Sequence, residues 1–258
     1  MLTRDWYRGF AEVEAAGSSP IYEHTAHAVA DDAALIERLD TLPRPRRQPN
    51  LLFAACRLLG APLGEPSETI EFVCDRWEDL SAVMANRSTQ TNEPARTATF
   101  LPILAELDGP IALIEVGASA GLCLYPDRYR IRYDDARPVG PAESPVMIQV
   151  QTHGPVPIPH SGIDVTWRAG IDLNPLDVRD PEAWPSACIW PEHTHRQQRL
   201  FAAAEVAAWD PAELIKGDLV ETIDGVLAAV PTDAVFVVFH TAVLNYLTPD
   251  RRSASLSA

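Results

Sequence analysis

The stretch Ile111-Ala112-Leu113-Ile114-Glu115-Val116-Gly117-Ala118-Ser119-Ala120-Gly121-Leu122 joins an apolar run holding one acid to a turn of small residues. Two kinds of chemistry need such a turn. A nucleotide cofactor needs backbone that approaches it closely after a strand, which Gly117, Ala118, Ser119 and Gly121 permit. A serine hydrolase needs G-x-S-x-G, a sharp elbow presenting Ser119 as nucleophile. Three later positions serve either chemistry. Asp172 closes one apolar run, Asp218-Leu219 follows another, and His240 follows a third. In a cofactor site Asp172 takes ribose hydroxyls, while Asp218 and Leu219 lie by the base. His240 is then a candidate general base, because an imidazole titrates near neutrality. In a hydrolase His240 is the base of Ser119, oriented by Asp172 or Asp218, in the chain order Ser, Asp, His.

Glu115 stands two residues before the first glycine, as an S-adenosylmethionine-type turn has it. The dinucleotide pattern G-x-G-x-x-G fails, since Ser119 and Leu122 occupy its second and third glycine positions. S-adenosylmethionine is therefore expected over NAD. The hydrolase reading is weakened because helical chain, not several strands, precedes the turn, and no oxyanion-loop motif does. A degenerate, non-catalytic binding protein stays open beside both.

Further polar residues bear on the same site. Gln90-Thr91-Asn92-Glu93-Pro94 reads as a turn in which Asn92 caps a helix over 93–107, or as a cap over a bound cofactor. Trp190 is placed to stack on an adenine or simply to pack. Glu192-His193-Thr194-His195 offers an H-x-H, but on a loop opening a helix it reads as solvated histidines. No metal is expected.

These residues need a scaffold. Before residue 108 the periodicity is helical: Ala28–Leu39, Asn50–Leu59, and 68–85, where Ile70, Val73, Trp77, Leu80 and Met84 share a face. From 111 onward strands alternate with helices. Strands are expected at 111–116, 165–171, 212–216 and 235–239, the last buried on both faces. A helix is expected to follow the glycine turn to about Tyr125. Within 128–162 the alternation of Tyr129–Tyr133 and Val146–Gln151 predicts antiparallel strands of an inserted hairpin or flap. The capping box Thr194-x-x-Gln197 opens a helix, and Thr248-Pro249 starts another.

Composition narrows the partners. The 258 residues are 47% hydrophobic, so a core forms, and a net charge of -15 disfavours nucleic acid and anionic membrane. Small-molecule substrates are expected instead. Cys56, Cys74, Cys123 and Cys188 form no C-x-x-C, and no signal peptide or membrane span is visible, so a cytoplasmic protein is expected.

The segments Gln90–Glu93, Ile114–Leu122, Gly170-Ile171-Asp172-Leu173-Asn174-Pro175, Trp190–His193, Lys216-Gly217-Asp218-Leu219 and Phe239-His240-Thr241 together resemble a bacterial family, DUF2332, over nearly the whole chain. The resemblance implies a core like that of class I S-adenosylmethionine-dependent methyltransferases, without naming a substrate. The expected fold is α/β: an N-terminal helical cap over 1–108 and a Rossmann-like parallel sheet over 109–258. The family resemblance also implies a C-terminally incomplete sheet. Its last strand would be an apolar edge open to self-association.

Overall fold

The computed structural model describes residues 1–180, 183–241 and 243. Among them the helices are α1 (Thr3–Gly9), α2 (Pro20–Asp31), α3 (Ala33–Asp40), α4 (Pro49–Leu58), α5 (Pro66–Asp75), α6 (Trp77–Asn86), α7 (Thr97–Leu104), α8 (Trp184–Ala187), α9 (Thr194–Trp209) and α10 (Leu219–Leu227). The strands are β1 (Ile111–Val116), β2 (Arg130–Tyr133), β3 (Met147–Val150), β4 (Val165–Asp172), β5 (Glu213–Lys216) and β6 (Val235–Phe239). The protein is mixed α/β, with a four-stranded parallel sheet. It divides into two compact units, Met1–Thr91 with Glu182–Gln197, and Asn92–Pro181 with Gln198–Ala258. The sequence suggests a break at 108; the units instead divide at 91/92, and a later segment returns to the helical one.

The helical unit follows its sequence pattern closely, with two interruptions. Asp32 ends α2 and accepts the Leu35 N–H at 2.9 Å, so Ala28–Leu39 is two helices rather than one. A side-chain oxygen at that position satisfies an orphan N–H of the new helix. The 68–85 helix is likewise split at Arg76, yet Val73, Leu80 and Met84 still face one core. Trp184 is buried and donates its indole N–H to the Ser88 carbonyl at 2.9 Å.

The sheet unit is ordered β5-β4-β1-β6. Every residue of β1 is buried, because the strand is flanked on both edges and covered on both faces. Ile114, Ala169 and Ile171 pack with Ile223 and Val226 of α10 on one face. Side chains alternate along a strand, so Glu115 faces the opposite side. There Phe100 of α7 lies against Phe239, ring centroids 4.7 Å apart.

Three expectations are corrected. β6 is parallel and stands at the sheet edge, as expected of the last strand, but with Phe236 58% exposed it is not buried on both faces. A run of apolar residues records composition and not how many neighbours the strand has. The helix after the glycine turn is only a 3-10 turn, Leu122–Leu124. The 128–162 insertion is no simple hairpin, because β2 and β3 pair in parallel. Val139 first folds back antiparallel on Ile131, and the chain then turns again to bring in β3. Period-two alternation is common to both strand directions and cannot separate them. The helix start expected at Thr248-Pro249 lies outside the described residues.

Candidate functional site

The glycine turn leaves the carboxyl end of β1. Gly117 has φ +72, and a Cβ there would lie 2.7 Å from Val243 Cβ, so both conformation and space require glycine. The turn also presses on β4: a Cβ on Gly170 would sit 2.6 Å from Ala118 Cβ. Gly170 thus lets the turn lie flat on the strand beside β1.

Every backbone N–H of the turn has a partner within the chain. Gly117 and Ala118 donate to the Ile171 carbonyl, and Gly121 donates to that of Ala118. Ser119 donates to Asp172 Oδ2 at 2.8 Å and Ala120 donates to Asn92 Oδ1 at 3.0 Å. Asp172 also receives the Asn174 N–H at 2.8 Å. Asp172 therefore fastens the turn, whatever else its oxygens accept. Asn92 does the same from the other side and does not cap a helix. Glu93 takes the capping role, accepting the Ala95 N–H at 3.0 Å before the 3-10 turn Pro94–Arg96. The long-range bond from Ala120 outcompetes a local cap that a neighbouring side chain can supply.

Around this turn lie buried polar atoms with no hydrogen-bond partner: Asn92 Nδ2, Glu115 Oε2 and Ser119 Oγ. Their residues are 8%, 2% and 6% exposed. An unmade hydrogen bond on a buried polar group costs about 1–3 kcal/mol, so such a concentration marks a place where a ligand has something to satisfy. Burial pushes the Glu115 carboxyl well above the usual carboxylate range, against the pull of Arg96 and the Cys123 thiol. Burial likewise pushes the Cys123 thiol up, and its sulfur lies 3.6 Å from the Glu93 carbonyl. Arg199 holds Glu93 by an ion pair of 2.7 Å. Arg96 reaches from the start of α7 to Thr241, two residues past β6, with Nη1 donating to Oγ1 at 2.9 Å.

Of the remaining sequence candidates, His240 lies at the carboxyl end of β6 and the others fall elsewhere. Asp218 accepts the Val220 N–H at 3.1 Å and caps α10, and Leu219 packs against the α10 core cluster. His240 is exposed immediately after β6. Gln90 and Trp190 belong to the helical unit. The Trp190 ring contacts Phe10 and Tyr22 and stacks on His193, and its indole N–H donates to Asn50 at 2.9 Å. Glu192 accepts from Ser19 Oγ at 2.6 Å and from the Ile21 N–H at 2.9 Å, holding the start of α2. Those bonds keep its carboxyl low although burial pushes the other way. Gln197 gives its amide to Ser186 rather than closing the expected capping box. No group of three metal-binding side chains occurs among the described residues. Arg96, Arg199 and Cys123 went unread in the sequence, since single residues without a repeat or motif carry no signal of a shared site.

The geometry discriminates among chemistries. A pyrophosphate needs free N–H groups and a helix N-terminus after the turn, and this turn has neither. Ser119 has φ 55, a positive value suited to an elbow, yet its Oγ meets no base. The turn is instead a small, donor-saturated surface beside buried polar atoms.

A parallel α/β sheet with its polar turn at the carboxyl edge defines the class of the molecule. The chain belongs to a family of uncharacterized proteins conserved in bacteria, DUF2332, whose model matches residues 4–258. Searches of curated proteins and of solved structures found no match.

Proposed function

We propose that the carboxyl edge of the sheet binds S-adenosylmethionine, and that the protein transfers its methyl group to a small molecule. The observation that carries this reading is the set of unsatisfied polar atoms on Asn92, Glu115 and Ser119 around the glycine turn. The strand order supports it. Counted within the parallel sheet alone, β1, β4, β5 and β6 run 3-2-1-4, the start of a doubly wound order. Ligands of such sheets bind where the order reverses, here between β1 and β6. A Rossmann-like, methyltransferase-like core is part of the same proposal.

The residues fit an adenosyl group without phosphates. Asn92 Nδ2 and Ser119 Oγ have hydrogen-bonding capacity left over, and Asp172 retains lone pairs for ribose hydroxyls beside the bonds it already accepts. The bound cofactor supplies an electrophilic methyl on a cationic sulfur, which suits an acidic chain better than a phosphate does. Positioning of the acceptor in line with that methyl is the main contribution of the protein. Exposed His240, at the end of β6, takes the acceptor proton. No helix of the described residues is long and apolar enough to cross a membrane. Four free thiols support a reducing, cytoplasmic setting. The apolar β6 edge supports self-association.

Isothermal calorimetry with S-adenosylmethionine tests the reading. Saturable binding that is lost in Gly117→Arg and weakened in Asp172→Ala is expected. Absence of binding heat in the wild type overturns it. Binding without methyl transfer to any component of a bacterial lysate leaves a non-catalytic binding protein. Labelling of Ser119 by a fluorophosphonate would instead restore the hydrolase.

A further inference from the structure

At the same end of the sheet, Arg96 makes no ion pair among the described residues. Arg96 is half-buried, and among the described residues the single hydrogen bond of its guanidinium, to Thr241, is to a neutral hydroxyl. Its neighbour Glu93 is already paired with Arg199. The acid that faces Arg96 from β1 is Glu115; burial pushes its carboxyl well above the usual carboxylate range, against the pull of Arg96, and the two make no ion pair. The chain carries 36 acids against 21 basic residues, so a half-buried guanidinium without a carboxylate partner runs against its whole composition. The position is also specific. Thr241 lies two residues beyond Phe239, which is in register with Glu115 on β1. Arg96 therefore spans the carboxyl ends of β1 and β6, where buried Asn92 Nδ2 and Glu115 Oε2 stand unsatisfied.

We propose that Arg96 binds a carboxylate of the ligand at the gap between β1 and β6. The proposal rests on the reading of this edge as a ligand site, though not on which cofactor fills it. A guanidinium presents paired N–H donors that match the two oxygens of a carboxylate, and Thr241 fixes one arm of that fork. The carboxylate has two possible sources, the methionyl end of the cofactor or the methyl acceptor, and the recognition chemistry is the same.

Sodium acetate, titrated at constant ionic strength against chloride, is the probe. The Arg96 Nε–H resonance and the Thr241 amide are followed by NMR. A saturable shift of both is expected in the wild type. Arg96→Gln should weaken acetate at least tenfold by the Thr241 amide, and Arg96→Lys should fall between. Thr241→Ala, which leaves the arginine but frees its fork, provides a second variant should Arg96→Gln fail to fold. S-adenosylhomocysteine and 5′-methylthioadenosine separate the sources. If the cofactor supplies the carboxylate, Arg96→Gln weakens the first tenfold and leaves the second unchanged. If the acceptor does, neither changes and acetate binds together with S-adenosylhomocysteine. A saturable acetate shift with no adenosyl binding retains the subsite and ends the cofactor reading. Acetate shifts that do not saturate, or that are equal in Arg96→Gln, overturn the subsite.

Discussion

The segment Trp190–His195 of the helical unit and the glycine turn of the sheet unit both carry, as sequence, residue types that could hold a ligand, although the histidines of the first read as solvated. Their side chains are used in opposite ways. In the helical unit Glu192 takes two hydrogen bonds at the start of α2, and Trp190 is packed on two rings and bonded to Asn50. In the sheet unit the backbone donors are satisfied while side-chain atoms of Asn92, Glu115 and Ser119 are not. A polar cluster that closes most of its own hydrogen bonds, as that of the helical unit does with His193 Nδ1 the exception, holds a fold together. One that leaves them open inside a buried turn has the composition of a binding surface. Residue type alone does not separate the two.

The largest expected effect lies on the helical side of this contrast. Trp190→Ala should lower unfolding free energy by about 3 kcal/mol in urea melts, by loss of ring packing. Affinity of the folded variant for S-adenosylmethionine should stay within twofold; a tenfold loss would make Trp190 a ligand residue and erase the distinction. Asp172→Ala acts on the other side. It strips the Ser119 and Asn174 N–H groups of a charged acceptor and should cost about 2 kcal/mol, together with ligand affinity. A variant of unchanged stability would mean that the turn is not held by this carboxylate.

Glu115→Gln sharpens the comparison through pH. The folded chain keeps on Glu115 a proton that the unfolded chain releases above the ordinary value of 4.5. The folded state thus binds more protons, and stability falls as pH rises through and above that value, by at most about 1.4 kcal/mol per pH unit. Glutamine has no proton to lose. The variant should match the wild type at pH 4 and exceed it at pH 8 in thermal melts; parallel pH profiles would refute the buried, protonated carboxyl. The smallest effect is Ser19→Ala, about 1 kcal/mol from a lost cap on the Tyr22 N–H. Calorimetric binding should not register it.

Much of the scaffold was legible because periodicity records burial directly. Ile111–Val116 is a fully buried strand as its composition indicates, and the face of Val73, Leu80 and Met84 survives a break at Arg76. What failed were inferences about neighbours. Asn92 has the chemistry of a helix cap and serves Ala120 in a distant turn. The alternation of β2 and β3 says nothing of their parallel pairing. Val235–Phe239 stands at the edge expected of the last strand, but its apolar run does not mean burial on both faces, since Phe236 is exposed. Of the site, the turn and Asp172 were legible through motif and strand-end position. Arg96 was not, because an isolated arginine two residues after a proline resembles any solvated one until Thr241 and Glu115 are brought to it.

The saturation of the turn's N–H groups reaches into the setting in which the protein works. The adenosyl pocket proposed for this edge would meet adenosine triphosphate, which carries the same adenosine and is abundant in cells. Here a phosphate arriving at residues 117–121 finds no amide to receive it and buried carboxyl chemistry nearby. Discrimination against that competitor would then rest on Asp172 and Asn92, whose side chains occupy the Ser119 and Ala120 N–H groups before any ligand enters.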